Sequence, residues 1–224
     1  EFLAVPLVAA VAACGRRQTP DASRVPPRSA VGLFAAPDYT VDFSDVIGRG
    51  LAELGIDVRG KAILLKPNLV EYEAGTVINT NPAVVAGAAT ALLRAGARRV
   101  SIGEGPAARR DLEYLLTATG LFDVMRDLRL EFTDLNHDDV RPVRLASRFS
   151  GLGEVYLPVS VLDADLLVSM PKLKTHHWAG LTCGLKNLFG CVPGAVYGWP
   201  KNLLHFAGID ESIVDLAATL RPGL

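Results

Sequence analysis

Short apolar runs recur along this chain, and helical segments fill the intervals between them. Lys61-Ala-Ile-Leu-Leu65 is such a run, suited to a parallel strand buried on both faces. Arg99–Ile102, Leu130–Asp134 and Ala164–Ser169 read the same way, and Ala30–Ala36 reads as a further strand at the start. Asp42–Leu54 is helical, stopped by Gly55. A second helix runs to Ala95, with Asn81 as N-cap, Pro82 at its first position and Gly96 as terminator. Asp111–Thr119, Leu121–Leu128, Ala179–Phe189 and Glu211–Leu220 also read as helices. Arg141–Leu145 and Glu154–Leu157, on either side of Ser150-Gly-Leu-Gly153, form a small antiparallel insertion. Alternation of this kind predicts an α/β fold: a mostly parallel sheet with helices on both faces.

At 224 residues, half of them hydrophobic and with net charge -1, the chain is long enough for one good core. We expect a single α/β domain over 30–224. Its last helix is followed by Arg221-Pro-Gly-Leu224 where another strand is expected, so the domain is expected to continue beyond this point. Residues 1–14 are different. The apolar run from Phe2 ends in Val11-Ala-Ala-Cys14-Gly, which has the form of a signal-peptide core followed by a lipobox, with Cys14 as the lipidated residue. The run is too short to span a bilayer. Glu1-Phe-Leu3 fits the end of a twin-arginine export motif whose arginines lie upstream. Residues 15–29, rich in Pro, Arg and Ser, suit a tether. These features place the protein outside the cytoplasm, in the cell envelope, touching the membrane only through a lipid on Cys14. A core strand or helix is the alternative reading of the same run.

The segment from Leu166 to Ile209 carries Lys172, Lys174, Lys186, Lys201, His176, His177 and His205, but no Asp or Glu. The chain average of 24 acidic residues in 224 would put about five there. Cations without counter-charges point to a site for a small anionic ligand. There is no Arg between Phe149 and Leu220, which argues against a nucleic-acid surface.

Three loops leave the carboxyl ends of expected strands: Lys66-Pro-Asn68, Gly103-Glu-Gly-Pro106 and Met170-Pro-Lys-Leu-Lys-Thr-His176. Open α/β sheets bind ligands outside those ends. Lys66, Asn68, Glu104, Lys172, Lys174 and His176 are therefore expected on one rim. Each has an ordinary alternative: a solvated strand end for Lys66, a turn residue for Asn68, a surface carboxylate for Glu104. If 171–177 is extended, Lys172, Lys174 and His176 share a face, and His177 packs on the other. Lys186 and Asn187, in an apolar glycine-rich run, are expected in buried contact. Lys201 and His205, at i, i+4, are read equally well as site or surface, and His137 as loop surface.

Gly103-Glu-Gly-Pro-Ala-Ala108 only loosely fits a dinucleotide fingerprint, and the chain has no Walker loop and no nucleophile elbow. Cys183 and Cys191 on one helix would lie about 12 Å apart, too far for a disulfide. No cysteine cluster suits an iron–sulfur centre. His176, His177, His205, Glu104 and Cys183 are candidate metal ligands without diagnostic spacing, opposed by four lysines. The sequence names neither a metal nor a cofactor.

Lys66-Pro-Asn-Leu-Val70, the Asn-Pro-led helix ending in Ala95-Gly-Ala97, Gly103-Glu-Gly-Pro106, Pro171-Lys-Leu-Lys-Thr-His176, Gly180-Leu-Thr182 and Leu185-Lys-Asn-Leu-Phe-Gly-Cys-Val-Pro-Gly194 resemble the domain-of-unknown-function family number 362. The resemblance runs from about Val31 to Leu224. Members are mostly bacterial and archaeal. Some carry an attached ferredoxin domain, whose cysteines this chain lacks, and others carry twin-arginine signals. The resemblance implies a second half with another glycine-rich acidic loop, and it supplies no established reaction.

Two functions are compatible with these residues. One is an exported enzyme in which Lys66, Lys172 and Lys174 bind anionic oxygens. There His176, with an ordinary pKa near neutrality, acts as general acid/base and Glu104 as a second proton-transfer group. By analogy with the family, its reaction would be redox-linked, with a redox partner protein. The other is a non-catalytic surface lipoprotein that captures an anionic ligand.

Overall fold

The structure is a computed structural model and describes residues 29–106, 111–198 and 201–224. The expected leader, Cys14 and nearly all of the expected tether lie outside the described residues. Gly32–Leu224 forms one compact unit.

In chain order the elements are α1 (Phe43–Glu53), β1 (Ala62–Pro67), α2 (Pro82–Arg94), β2 (Arg99–Glu104), α3 (Leu112–Ala118), α4 (Leu121–Leu128) and β3 (Glu131–Asp134). There follow β4 (Val140–Arg144), β5 (Glu154–Pro158), α5 (Val159–Leu162), β6 (Leu166–Met170), β7 (Lys174–His176) and β8 (Gly180–Thr182). The last part holds α6 (Gly184–Asn187), a 3₁₀ turn (Leu188–Cys191), α7 (Gly194–Tyr197), α8 (Asn202–Phe206) and α9 (Ile209–Leu220). Strands β3-β2-β1-β6 form a four-stranded sheet in that order, every pairing parallel. The predicted α/β architecture is therefore present. The antiparallel insertion is β4 paired with β5.

Alternation along the strands distributes the core between the two faces. Ile63, Leu65, Val100 and Ile102 pack with α2 residues Val85, Ala88, Ala89 and Leu92, joined by Leu51 of α1 and Leu121 of α4. Leu64 and Leu167 point the other way, onto Leu188, Cys191 and the α9 residues Ala217 and Leu220. Truncating a buried leucine such as Leu65 to Ala would cost about 2–5 kcal/mol. Asn81 caps α2 as expected, accepting from the Ala83 N–H at 2.9 Å. Asp42 does the same for α1, accepting from Ser44 N at 2.8 Å. The Asp215 carboxylate on α9 gathers the 147–150 loop, accepting from Phe149 N at 3.1 Å and Ser150 N at 2.9 Å.

Two expected elements are not formed. Residues 30–36 make no strand: Leu33 is 98% exposed, and no described residue pairs with the segment. The expected helix over 179–189 is broken into β8, α6 and the 3₁₀ turn. Gly180 takes a left-handed φ of 66° that turns the chain, so Gly180–Thr182 pairs antiparallel with Lys174–His176. Cys183 and Cys191 are both free, as expected, although no continuous helix separates them.

Sequence order also positions the site. β1 leads through α2 to β2 on one side, whereas β6 lies on the other side of β1. Loops after β1 and β6 thus leave the sheet at a topological switch point, where open α/β sheets form their ligand crevice.

Candidate functional site

At the carboxyl ends of β1, β2 and β6 lies a cavity of about 340 Å³. Its base is built by Lys66 and Glu104, the last residues of two adjacent strands to face inward there. The Lys66 ammonium contacts Glu104 Oε1 and donates to Pro67 O at 2.9 Å, and the pair is inaccessible to solvent. Asn187 clamps the strand ends together, donating through Nδ2 to Lys66 O at 2.9 Å and to Ser169 Oγ at 3.1 Å. Gly190 packs directly against this pair. A Cβ there would sit 2.6 Å from Glu104 Oε1 and 2.7 Å from Lys66 Nζ. Gly105 is similarly confined, since its Cβ would stand 2.7 Å from Gly190 O.

The surrounding loops are tied to each other. Thr80 Oγ1 accepts from Asn68 N at 2.9 Å and donates to Met170 O at 2.6 Å, which joins the loops after β1 and β6. Asn136, after β3, donates to Pro106 O at 2.7 Å and accepts from Gly194 N at 2.9 Å. These bonds fix the walls before any ligand arrives.

Most of the expected site residues meet here. Asn68, Glu104, Lys174, His176, Lys186 and Asn187 line the cavity, and Lys66 lies directly beneath it. Lys172 does not belong to the lining. It turns outward and donates to the Tyr39 hydroxyl at 2.8 Å. His177, expected to pack on the far face, lines the cavity too. Lys201 and His205 fall on the site side of their two readings. Lys201 is buried with a left-handed backbone, and its ammonium donates to Gly105 O at 3.2 Å and Phe189 O at 3.3 Å. Trp178, Phe189 and Thr182 also line the cavity and were not singled out from the sequence. Trp178 and Phe189 lie within the acid-free segment, which was the available signal. His137 is on the surface, paired with Asp134 at 2.7 Å.

The electrostatics follow from burial. Desolvation raises the Glu104 carboxyl above the usual carboxylate range, although the Lys66 charge opposes it. Desolvation likewise lowers Lys201 and Lys186 to about 8, and the Lys174 and Lys66 charges add to it at Lys186. Lys174, which donates to Ile78 O at 2.8 Å, is also lowered by burial. His176 is held at about 4 by burial and then by the charge of Lys186. Its Nδ1 accepts from Trp178 N and Ala179 N, each at 3.2 Å, so the neutral ring carries its proton on Nε2. His176 is therefore a neutral hydrogen-bond donor at neutral pH, in place of the near-neutral titrating group expected from its residue type.

Two features of the cavity stand out. Four lysines converge on it, and among the described residues the Lys186 ammonium has no hydrogen-bond partner, only a contact over the Phe189 ring at 4.8 Å. Asn68 Oδ1, Glu104 Oε2 and Thr182 Oγ1 are buried polar atoms without a partner. Such groups are costly unless something completes them. No group of three or more His, Cys, Asp or Glu among the described residues is placed to hold a metal. No helix among them is long and apolar enough to cross a membrane.

The chain is 32% identical over 172 residues to a thylakoid-associated protein of Synechocystis sp. (strain ATCC 27184 / PCC 6803 / Kazusa), an alignment covering 74% of this chain and 50% of that protein. It thus spans half the length of that relative. The motif-bearing loops at the carboxyl ends of β1, β2 and β6 all fall within residues 63–224, which match the model for the domain of unknown function DUF362, and the chain belongs to that family.

Proposed function

We propose that the protein binds a small organic anion in the cavity above Lys66 and Glu104 and transfers a proton to or from it. The observation that carries this reading is the Lys186 ammonium, which lines a lysine-rich cavity and has no hydrogen-bond acceptor among the described residues. An anionic oxygen supplies that acceptor and offsets the repulsion among Lys174, Lys186 and Lys201. Glu104 is the proton-transfer group: its carboxyl is raised by burial and its Oε2 is unused. His176, neutral with its proton on Nε2, polarises the bound anion as a donor.

The test is direct. Lys186→Gln should weaken binding of inorganic phosphate or a simple carboxylate by about tenfold, consistent with loss of one charge-assisted hydrogen bond. Unchanged affinity for both would sink the anion site. A non-catalytic binding protein is the second reading, favoured by the backbone hydrogen bonds that occupy Lys174 and Lys201. Glu104→Gln separates the two, because only a catalytic site has a turnover for it to abolish.

We further propose that the protein works at a membrane of the cell envelope, exported through a twin-arginine leader and held by a lipid on Cys14, with a redox partner protein there. The relative's thylakoid association supports a membrane location. Fractionation of cells expressing Cys14→Ser tests it: the protein should move from the membrane to the soluble fraction.

A further inference from the structure

Five aromatic rings follow one another around the cavity. His176 stacks on His177 with centroids 4.8 Å apart, and His177 meets Trp178 at 4.7 Å. Trp178 meets His205 edge-on at 4.7 Å, and His205 meets Phe189 edge-on at 5.1 Å. The rings come from the end of β7, the β7–β8 turn, the 3₁₀ turn and α8, so no single element's packing accounts for the series. All five line the cavity, yet Trp178 is 55% exposed: its face is not used up by the core. Burial lowers both His176 and His205, so these imidazoles present neutral ring surface.

Elsewhere in the same lining, Asn68 (7% exposed) and Glu104 (2% exposed) carry the buried acceptors Oδ1 and Oε2, which no donor among the described residues reaches. Lys186 stands over the last ring of the series. A bare inorganic anion answers the lysine but leaves the half-exposed Trp178 ring uncovered. An aliphatic acid does the same. A planar ring system covers it, because aromatic faces and edges pair at the separations already present in the belt. The volume of about 340 Å³ lies at the small end of ligand sites and suits one or two fused rings.

From this juxtaposition we propose that the ligand is a planar aromatic carboxylate carrying a hydroxyl or amino donor. Its ring lies against the belt centred on Trp178 and His205, its carboxylate meets Lys186, and its donor reaches Asn68 Oδ1 or Glu104 Oε2. This inference rests on the anion site proposed above and narrows its substrate class.

The experiment is calorimetric titration of the full chain with four probes: hydroxynaphthoate, naphthoate, the saturated decahydronaphthoate, and inorganic phosphate. Naphthoate should bind about tenfold more tightly than its saturated counterpart, and hydroxynaphthoate more tightly still. Trp178→Ala, at a half-exposed position, should abolish the preference for the aromatic acid. In the wild-type protein, ring-current shifts of the naphthoate protons should report the stacking independently of any variant. Equal affinity for the flat and saturated acids, with phosphate still bound, overturns the aromatic class and leaves the anion site standing. Failure of all four probes, phosphate included, overturns the anion site and this inference with it.

Discussion

Lys66 and Glu104 pair at the carboxyl ends of adjacent parallel strands with side-chain exposures of 0% and 3%. Removing two ions from water is expensive, and their attraction offsets the cost only while both are present. Lys66→Met should therefore destabilise the fold by about 3–5 kcal/mol, because a carboxyl group stays buried without its cation. The double variant Lys66→Met/Glu104→Leu should lose much less than the sum of the single losses. Denaturant unfolding of the three variants checks this, and strictly additive losses would show that the two groups are not coupled.

Gly190 sets how closely the 3₁₀ turn approaches that pair. Gly190→Ala forces a methyl group to within 2.6 Å of Glu104 Oε1 and 2.7 Å of Lys66 Nζ. Overpacking of this kind costs roughly 1–3 kcal/mol. The variant should also lose anion affinity, because the pair must shift into the cavity. Gly184→Ala, where a Cβ meets nothing within 4 Å, is the matched control and should bind normally. A lowered melting temperature with affinity intact would place Gly190 outside the site.

The sheet was legible because its signals are local. The run from Lys61 to Leu65, the Asn81-Pro82 cap and the Gly96 stop each act within a few residues, and each element appears where those residues put it. The convergence of Lys66, Glu104 and Lys174 followed from topology alone, since strand ends in a parallel sheet share one edge. What was not legible depends on long-range pairing. The segment 30–36 has strand-like residues but no pairing neighbour among the described residues, and propensity without a partner makes no strand. The 179–189 segment has helix-like composition, but β7 recruits Gly180–Thr182 and the left-handed Gly180 ends any helix there. Lys172 alternates correctly with Lys174, yet it lies before β7 begins, and Tyr39 captures its ammonium from 133 residues away. The ring series was invisible because His205 and Phe189 are brought together only by the fold.

His176 should behave as a neutral imidazole throughout the physiological range. Burial and the nearby lysine charge hold it at about 4, and two backbone N–H groups fix Nδ1 as an acceptor. Nitrogen-15 NMR should find the Nε2–H tautomer with no titration between about pH 5.5 and 8. Any rate profile should lack an inflection near the ordinary histidine pKa. His176→Ala should reduce turnover more than affinity, because a donor aimed at developing charge acts mainly in the transition state. A resonance that titrates near neutrality would return His176 to the role of proton carrier.

Stability and ligand affinity should respond to alkaline pH in opposite directions. Lys201 is held at about 8 by burial, against an ordinary 10.5 in the unfolded chain. Below about pH 8 both states carry the proton, and the folded state bears the full penalty of a buried ammonium. Between the two values the folded protein has shed the proton and the unfolded chain has not. The unfolded state then binds more protons, so stability rises with pH across that window. Lys186, also held at about 8, loses its charge over the same range, and with it the attraction for an anion. Naphthoate, a carboxylate ionised throughout, should therefore bind more weakly as pH climbs from about 7 to 10, while the ligand-free protein resists urea better. Lys201→Met should reduce the slope of the stability curve, the remainder coming from Lys186 and Lys174, and Lys186→Gln should flatten the affinity curve. If the affinity of wild-type protein is flat across pH 8, the Lys186 ammonium is not what holds the anion.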